Sequence, residues 1–145
     1  MKLPKKLRPL SEIQTRIMRI IWDRGEASVS DIQAALATDA VRARNTVQTL
    51  LSRLERKGWL KHLEKGHTFY YSATVEKRKT LSEMLSRLVD TAFGGSSEGL
   101  VMALLDERNI TPEEARRIKD MISNAVRHKD VAKTGENRET AVRKS

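Results

Sequence analysis

Trp59-Leu60-Lys61-His62-Leu63-Glu64-Lys65-Gly66-His67-Thr68-Phe69-Tyr70-Tyr71-Ser72 is the one stretch of this 145-residue chain where the apolar period drops from 3.6 to about 2. Aromatic and β-type residues flank a Lys-Gly turn, which is the signature of a β-hairpin. Just upstream, Arg44 to Lys57 reads as a helix that Gly58 stops. Two further start signals precede it. Ser11 with Gln14, and Ser28 with Asp31, have the spacing of capping boxes, each opening a helical period. The first of these helices carries Ile13, Ile17, Ile20 and Ile21 and closes at Gly25; the second carries Ile32, Ala35 and Leu36 and ends near Ala37. Thr38 to Arg42 is a polar turn. Helix, helix, helix, hairpin in this order predicts a winged helix-turn-helix over residues 10–74.

Downstream there is no strand signal. A helix from about Val75 to Ala92 puts Leu81, Leu85, Leu88 and Ala92 on one stripe, with Met84 and Val89 beside it, and Gly94-Gly95 breaks it. A short helix follows from Ser97 to about Glu107, with Leu100, Val101, Leu104 and Leu105. Thr111-Pro112-Glu113-Glu114 then starts a helix that carries Ala115, Ile118, Met121, Ile122 and Ala125. Three such helices make a thin module with a long apolar stripe, better packed against a second copy than alone. The expected layout is a basic arm over 1–9, the winged helix over 10–74, a helical dimerisation domain over 75–128 and a disordered tail over 129–145. The fold class expected is mainly α with a small β-hairpin.

Composition sets the outer limits. With 39% hydrophobic and 32% charged residues the chain has material for a core. It contains no cysteine, which removes disulfides, thiolate metal sites and thiol catalysis. The basic start runs into Ser11-Glu12 rather than an apolar segment, and no apolar run approaches the ~20 residues of a membrane span. A soluble cytoplasmic protein without membrane insertion is expected. The net charge of +9 is uneven: residues 1–75 hold 14 basic and 7 acidic side chains, residues 76–145 hold 14 and 12. The front half is therefore the candidate for a polyanion, nucleic acid foremost.

The third helix sharpens that choice. Val47, Leu50, Leu51 and Leu54 form one stripe. The opposite side holds Asn45, Thr49, Ser52 and Arg56, flanked by Thr46, Gln48 and Arg53, with Glu55 the one acid near its edge. A row of amides, hydroxyls and guanidinium groups suits a groove lined by phosphates, where carboxylates are repelled. Asn45, Thr46, Gln48 and Thr49 are the candidates for base readout. Arg42, Arg44, Ser52 and Arg53, with Lys65 and His67 at the hairpin tip, are the candidates for phosphate contacts. Two of Phe69, Tyr70 and Tyr71 are expected in the core. The competing readings are a solvated face, a sequence-indifferent nucleoid- or RNA-binding winged helix, and an adaptor that meets an acidic protein.

Signs of catalysis are absent. Phe93-Gly94-Gly95-Ser96 lacks the lysine and preceding strand of a phosphate loop, and no nucleophile and base are paired. His62, His67 and His128 are not at metal-ligand spacing, and Met18, Met84, Met102 and Met121 lie on apolar stripes as core residues do. No enzyme, no cofactor and no metal are expected.

Ile20-Ile21-Trp22, Ser28-Val29-Ser30-Asp31-Ile32, Asn45 to Leu54 and Lys57-Gly58-Trp59-Leu60 together resemble the penicillinase repressor (BlaI/MecI/CopY) family. Phe69-Tyr70-Tyr71-Ser72 and the Phe93-Gly94-Gly95 break extend the resemblance over roughly residues 10–127. It implies a homodimeric repressor that binds double-stranded DNA at an inverted-repeat operator and dimerises through its C-terminal helices. It also implies DNA contacts from Thr46, Gln48 and Thr49. The dimerisation candidates are Leu81, Leu85, Leu88, Leu100, Val101, Leu104, Ile118 and Ile122. In the β-lactam branch of the family a membrane sensor protease leads to cleavage at an Asn-Phe bond in the dimerisation part. Ala103-Leu104 stands at that place here as the candidate cleavage site, a departure from the family's pattern. The copper-sensing branch carries a cysteine-rich tail, which this chain lacks.

Overall fold

Local signals set the helix starts. In a computed structural model, Ser11 and Ser28 both form complete capping boxes, with Gln14 and Asp31 returning the hydrogen bond to the cap backbone. The structure describes residues 7–144, with side-chain surroundings through residue 129. The elements run α1 (Glu12–Arg24), β1 (Ala27–Ser28), α2 (Val29–Leu36), α3 (Arg44–Arg56), β2 (Leu60–Lys65), β3 (Thr68–Ala73), α4 (Lys77–Ala92), α5 (Ser97–Glu107) and α6 (Pro112–Lys144). The strands form one antiparallel sheet in the order β1-β3-β2. Three helices, a hairpin and a short strand closing the sheet are the winged helix-turn-helix expected from the sequence.

The core of this part is continuous. Ile17, Met18, Ile21, Ile32, Val47, Leu51 and Leu54 are fully buried, and Trp59, Leu60 and Tyr71 close the core from the wing side. Leu50, the remaining member of the α3 stripe, packs at its edge. Gly58 is required at the α3–β2 junction: its φ is +94°, and a Cβ there would stand 3.0 Å from the Leu7 side chain.

That contact belongs to a tether at the chain's front. Trp59 Nε1 donates to the Arg8 carbonyl at 2.9 Å, and Lys57 Nζ donates to the Pro9 carbonyl at 3.2 Å and to Gln14 Oε1 at 2.8 Å. Of the arm expected over residues 1–9, residues 7–9 are thus fastened beside the end of α3, while residues 1–6 lie outside the described residues. The buried indole and the half-buried ammonium need acceptors, and the passing backbone, with Gln14, supplies them.

β1 has no counterpart in the sequence pattern. Ser28 caps α2 in an extended conformation (φ −83°, ψ 168°), so it can pair with Tyr70 while Ala27 pairs with Tyr71. Two residues carry no readable period. A second difference lies at the far end, where the backbone remains helical to Lys144 instead of forming an unstructured tail from residue 129. That segment contains no proline after Pro112, and periodicity reports whether a helix is packed, not whether its backbone can be helical.

The chain divides into two compact units, one up to Leu88 and one from Val89. The division falls within α4 rather than ahead of it at residue 75. In the second unit Ser96 caps α5 by accepting from the Gly99 N–H at 2.9 Å, and Thr111 accepts from the Glu114 N–H at 3.1 Å.

Candidate nucleic-acid interface

α3 begins without a side-chain cap, since Ala43 stands at its N-cap, so its first amide N–H groups remain available to an anion. Asn45 and Thr46 are exposed beside that end, and their side chains make no hydrogen bond among the described residues. Thr49 is exposed, but its hydroxyl donates to the Asn45 carbonyl at 2.9 Å. It therefore offers a methyl group and oxygen lone pairs rather than a donor. Gln48 is half-buried and donates from Nε2 to the Tyr71 hydroxyl at 3.2 Å. Its Oε1 and second N–H keep no partner among the described residues.

The residues expected on phosphates divide into two groups. Arg44 is exposed and reaches Ser30 Oγ at 2.8 Å, Arg53 is exposed beside half-buried Ser52, and His67 is exposed at the wing turn. Arg42 is engaged within the fold instead. Its guanidinium donates to the carbonyls of Ala40 (3.0 Å) and Leu36 (3.4 Å), while its own carbonyl accepts from Gln33. It closes the α2–α3 turn. Lys65 sits between the two groups, paired with Glu26 at 2.8 Å and lying 5.5 Å from the centre of the Tyr70 ring.

The aromatic triplet corrects one expectation. Tyr71 alone enters the core; Tyr70 is half-buried and Phe69 is 43% exposed. Strand alternation puts Phe69 and Tyr71 on one side of β3, and the helices cover that side only near Tyr71, leaving Phe69 toward the wing tip. His62, opposite Tyr71 in register, stacks at a tilt on both rings and hydrogen-bonds Glu55. The one acid near the α3 face is thereby held against the wing. Glu55–His62, Gln48–Tyr71 and Lys65–Glu26 escape sequence reasoning because each joins the wing to a separate part of the fold.

Asp31, at the start of α2, is the one carboxyl clearly shifted among the described residues. The backbone N–H of Ser28, then its hydroxyl, hold it below the ordinary aspartate range, with Arg24 adding to the effect.

α4, α5 and α6 carry the other candidates. Leu81, Leu85, Leu88, Val101, Leu104, Ile118 and Ile122 are all exposed, and Leu100 is half-buried. Met84, Met102 and Met121, expected in a core, are exposed with them, and of the four methionines so expected Met18 alone is buried. Ala103 and Leu104 lie in the middle of α5. Among the described residues no three His, Asp or Glu side chains come together as a metal-ligand set, and no helix is long and apolar enough to cross a membrane.

A winged helix whose third helix presents amides, hydroxyls and arginines, with its nearby acid tied to the wing, is a DNA-binding regulator of transcription. The sequence profile described as Penicillinase repressor matches residues 10–124, and the chain belongs to that family. Its members are repressors, not enzymes. The chain is similar to the penicillinase repressor of Bacillus licheniformis, 21% identical over 118 residues that cover 81% of this chain and 92% of that one. It is 20% identical over 121 residues to the methicillin resistance regulatory protein MecI of Staphylococcus aureus, covering 83% and 98%. Among solved structures, the DNA-binding domain of the repressor BlaI aligns over 50% of this chain and 89% of its own, with 27% identity and a TM-score of 0.46.

Proposed function

We propose that this repressor acts as a homodimer on an inverted-repeat operator. Each copy places the N-terminal end of α3 in a major groove, with the two grooves about 34–36 Å apart. The observation that carries this reading is the outer row of α3: Asn45 and Thr46 unpartnered among the described residues, Gln48 and Thr49 beside them, and Glu55 turned to His62. Asn45 and Gln48 have the donor and acceptor pair that adenine presents a match for, and threonine methyls suit the thymine methyl. Arg44, Ser52, Arg53, Lys65 and His67 supply phosphate contacts, and with them the salt dependence of binding. The exposed apolar residues of α4 to α6 support the second copy as partner, with residues 10–74 binding DNA and 75–128 joining the copies.

The site of action this implies is the cytoplasm. Release by a membrane sensor protease at Ala103–Leu104 requires α5 to open first, because a helical bond is not extended in a protease cleft.

The test is fluorescence anisotropy of the full chain with duplex DNA from upstream of its own gene, against a scrambled duplex, at about 50 and 200 mM salt. Preference for the native duplex that survives the higher salt is expected. Equal binding of both duplexes, across several candidate promoters, that collapses with salt would replace this reading with a sequence-indifferent nucleoid protein. No binding even at low salt would favour an adaptor for an acidic protein.

A further inference from the structure

Resting on the reading of α3 as the recognition helix, we propose that Tyr71 is a positioning residue for base readout. Its hydroxyl holds the Gln48 amide in one orientation, so that the free side of the amide is set to recognise adenine.

The argument starts from burial. Tyr71 is 2% exposed, and a tyrosine ring so placed needs a partner for its hydroxyl. A phenylalanine would fill the same space without that need. The partner is not a neighbour in the sheet: it is Gln48 Nε2 at 3.2 Å, on the outward side of α3.

The ring itself has little freedom. β3 is the central strand, so Tyr71 is paired on both sides, with Ala27 of β1 and with His62 of β2. The imidazole of His62 packs 5.7 Å from the Tyr71 ring and is hydrogen-bonded to Glu55, further along α3. Sheet register therefore fixes the place of the hydroxyl, and the hydroxyl fixes the end of a long side chain.

The chemistry follows from the inventory of the amide group. A primary amide has two N–H donors and one carbonyl acceptor. With one N–H committed to Tyr71, the other N–H and Oε1 remain. One donor beside one acceptor is the complement of the adenine major-groove edge, where N7 accepts and N6 donates. Without the tether the amide is free to turn either way and to adopt many rotamers. It must then be ordered at the moment of binding, which weakens and broadens the readout.

The test uses the full chain and a random-sequence duplex pool, with selection by wild type, Tyr71→Phe, Gln48→Ala and the double variant, and with thermal unfolding of each. Wild type is expected to converge on a consensus with adenine at one position of each half-site. Tyr71→Phe should lose about five-fold in preference at that position alone, the net worth of one neutral hydrogen bond. Gln48→Ala should lose that preference entirely, and Tyr71→Phe should add nothing in its background. Three results would overturn the proposal: an unchanged Tyr71→Phe consensus, a Tyr71→Phe effect that persists without Gln48, or a uniform weakening at all positions with a fall in melting temperature. Failure of wild type to converge on any consensus is a different result, because it removes the recognition-helix reading itself and this proposal with it.

Discussion

Residues 10–75 and helices α4 to α6 carry the same kind of apolar period, and the folded chain treats them in opposite ways. In the first region the period becomes a closed core: Ile17, Met18, Ile21, Ile32, Val47, Leu51 and Leu54 lose all solvent contact. In the second, Leu85, Leu105 and Met121 stay 51%, 58% and 66% exposed, α4 buries Thr80 alone, and α5 buries nothing. A period announces that a face is to be covered; it does not say by which chain. Large apolar side chains left open in such numbers commonly serve an interaction. The comparison therefore separates a region that covers its own apolar face from one whose stability, on the dimer proposed above, would depend on protein concentration.

The sharpest way to break that contrast is truncation inside the closed core. Leu51→Ala should cost about 2–5 kcal/mol in denaturant unfolding, since both a transfer term and a cavity term apply. Met121→Ala, measured in samples dilute enough to be monomeric, should move stability by less than about 0.5 kcal/mol. Comparable losses from the two variants would erase the distinction.

A charge in the open region should do the reverse. Ile118→Asp is expected to leave the front core folded, read from the near-ultraviolet signals of Trp22 and Trp59, while sedimentation shows a monomer. Affinity for a two-half-site duplex should then fall by roughly 10²–10⁴-fold, because the second site is no longer tethered to the first. A variant that still sediments as a dimer would place the interface elsewhere.

Within the front region, readout and phosphate contacts should separate. Gln48→Ala should cost about 1–3 kcal/mol at the specific duplex and little on random DNA. Arg44→Ala should weaken both alike and lower the salt slope by about 1. Equal losses on both DNAs from Gln48→Ala would remove its role in specificity.

The same contrast explains what is legible in the sequence. Both capping boxes, the stop at Gly58 and the α3 stripe are local signals, and the structure reproduces them within a residue or two. Placements that depend on distant partners are not readable. β1 exists because Tyr70 and Tyr71 pair with Ser28 and Ala27, far apart in the chain. Which aromatic enters the core follows from where the helices cover β3, and so only Tyr71 does so of the two expected. Met84, Met102 and Met121 read as core because their stripe is apolar, but nothing among the described residues buries them. On α3, Asn45 and Thr46 stand open as the helical period suggests, and Thr49 makes the back-bond to the preceding turn that helical threonines commonly make, whereas Gln48 has a hydrogen bond to distant Tyr71 that no local pattern announces.

The smallest expected effect tests whether the front region's stability also rests on its caps. Asp31 accepts from the Ser28 backbone N–H at 3.0 Å, and its own N–H donates to Ser28 Oγ at 3.1 Å. The first of these bonds, with the Ser28 hydroxyl next in weight, favours the ionised carboxylate and lowers its pKa in the folded chain. The unfolded chain thus binds a proton at a higher pH than the folded one. The contribution is complete above the unfolded value, about pH 4, and is lost as pH falls through the lower folded value. Asp31→Asn keeps an acceptor but no charge, so it should cost about 0.5–1 kcal/mol at neutral pH. That gap between wild type and variant should close progressively below about pH 4. A gap that stays constant into acid would mean that the amide fails by its shape rather than by its missing charge. Because α2 belongs to the region that closes on itself, the neutral-pH loss should be the same in dilute and concentrated samples.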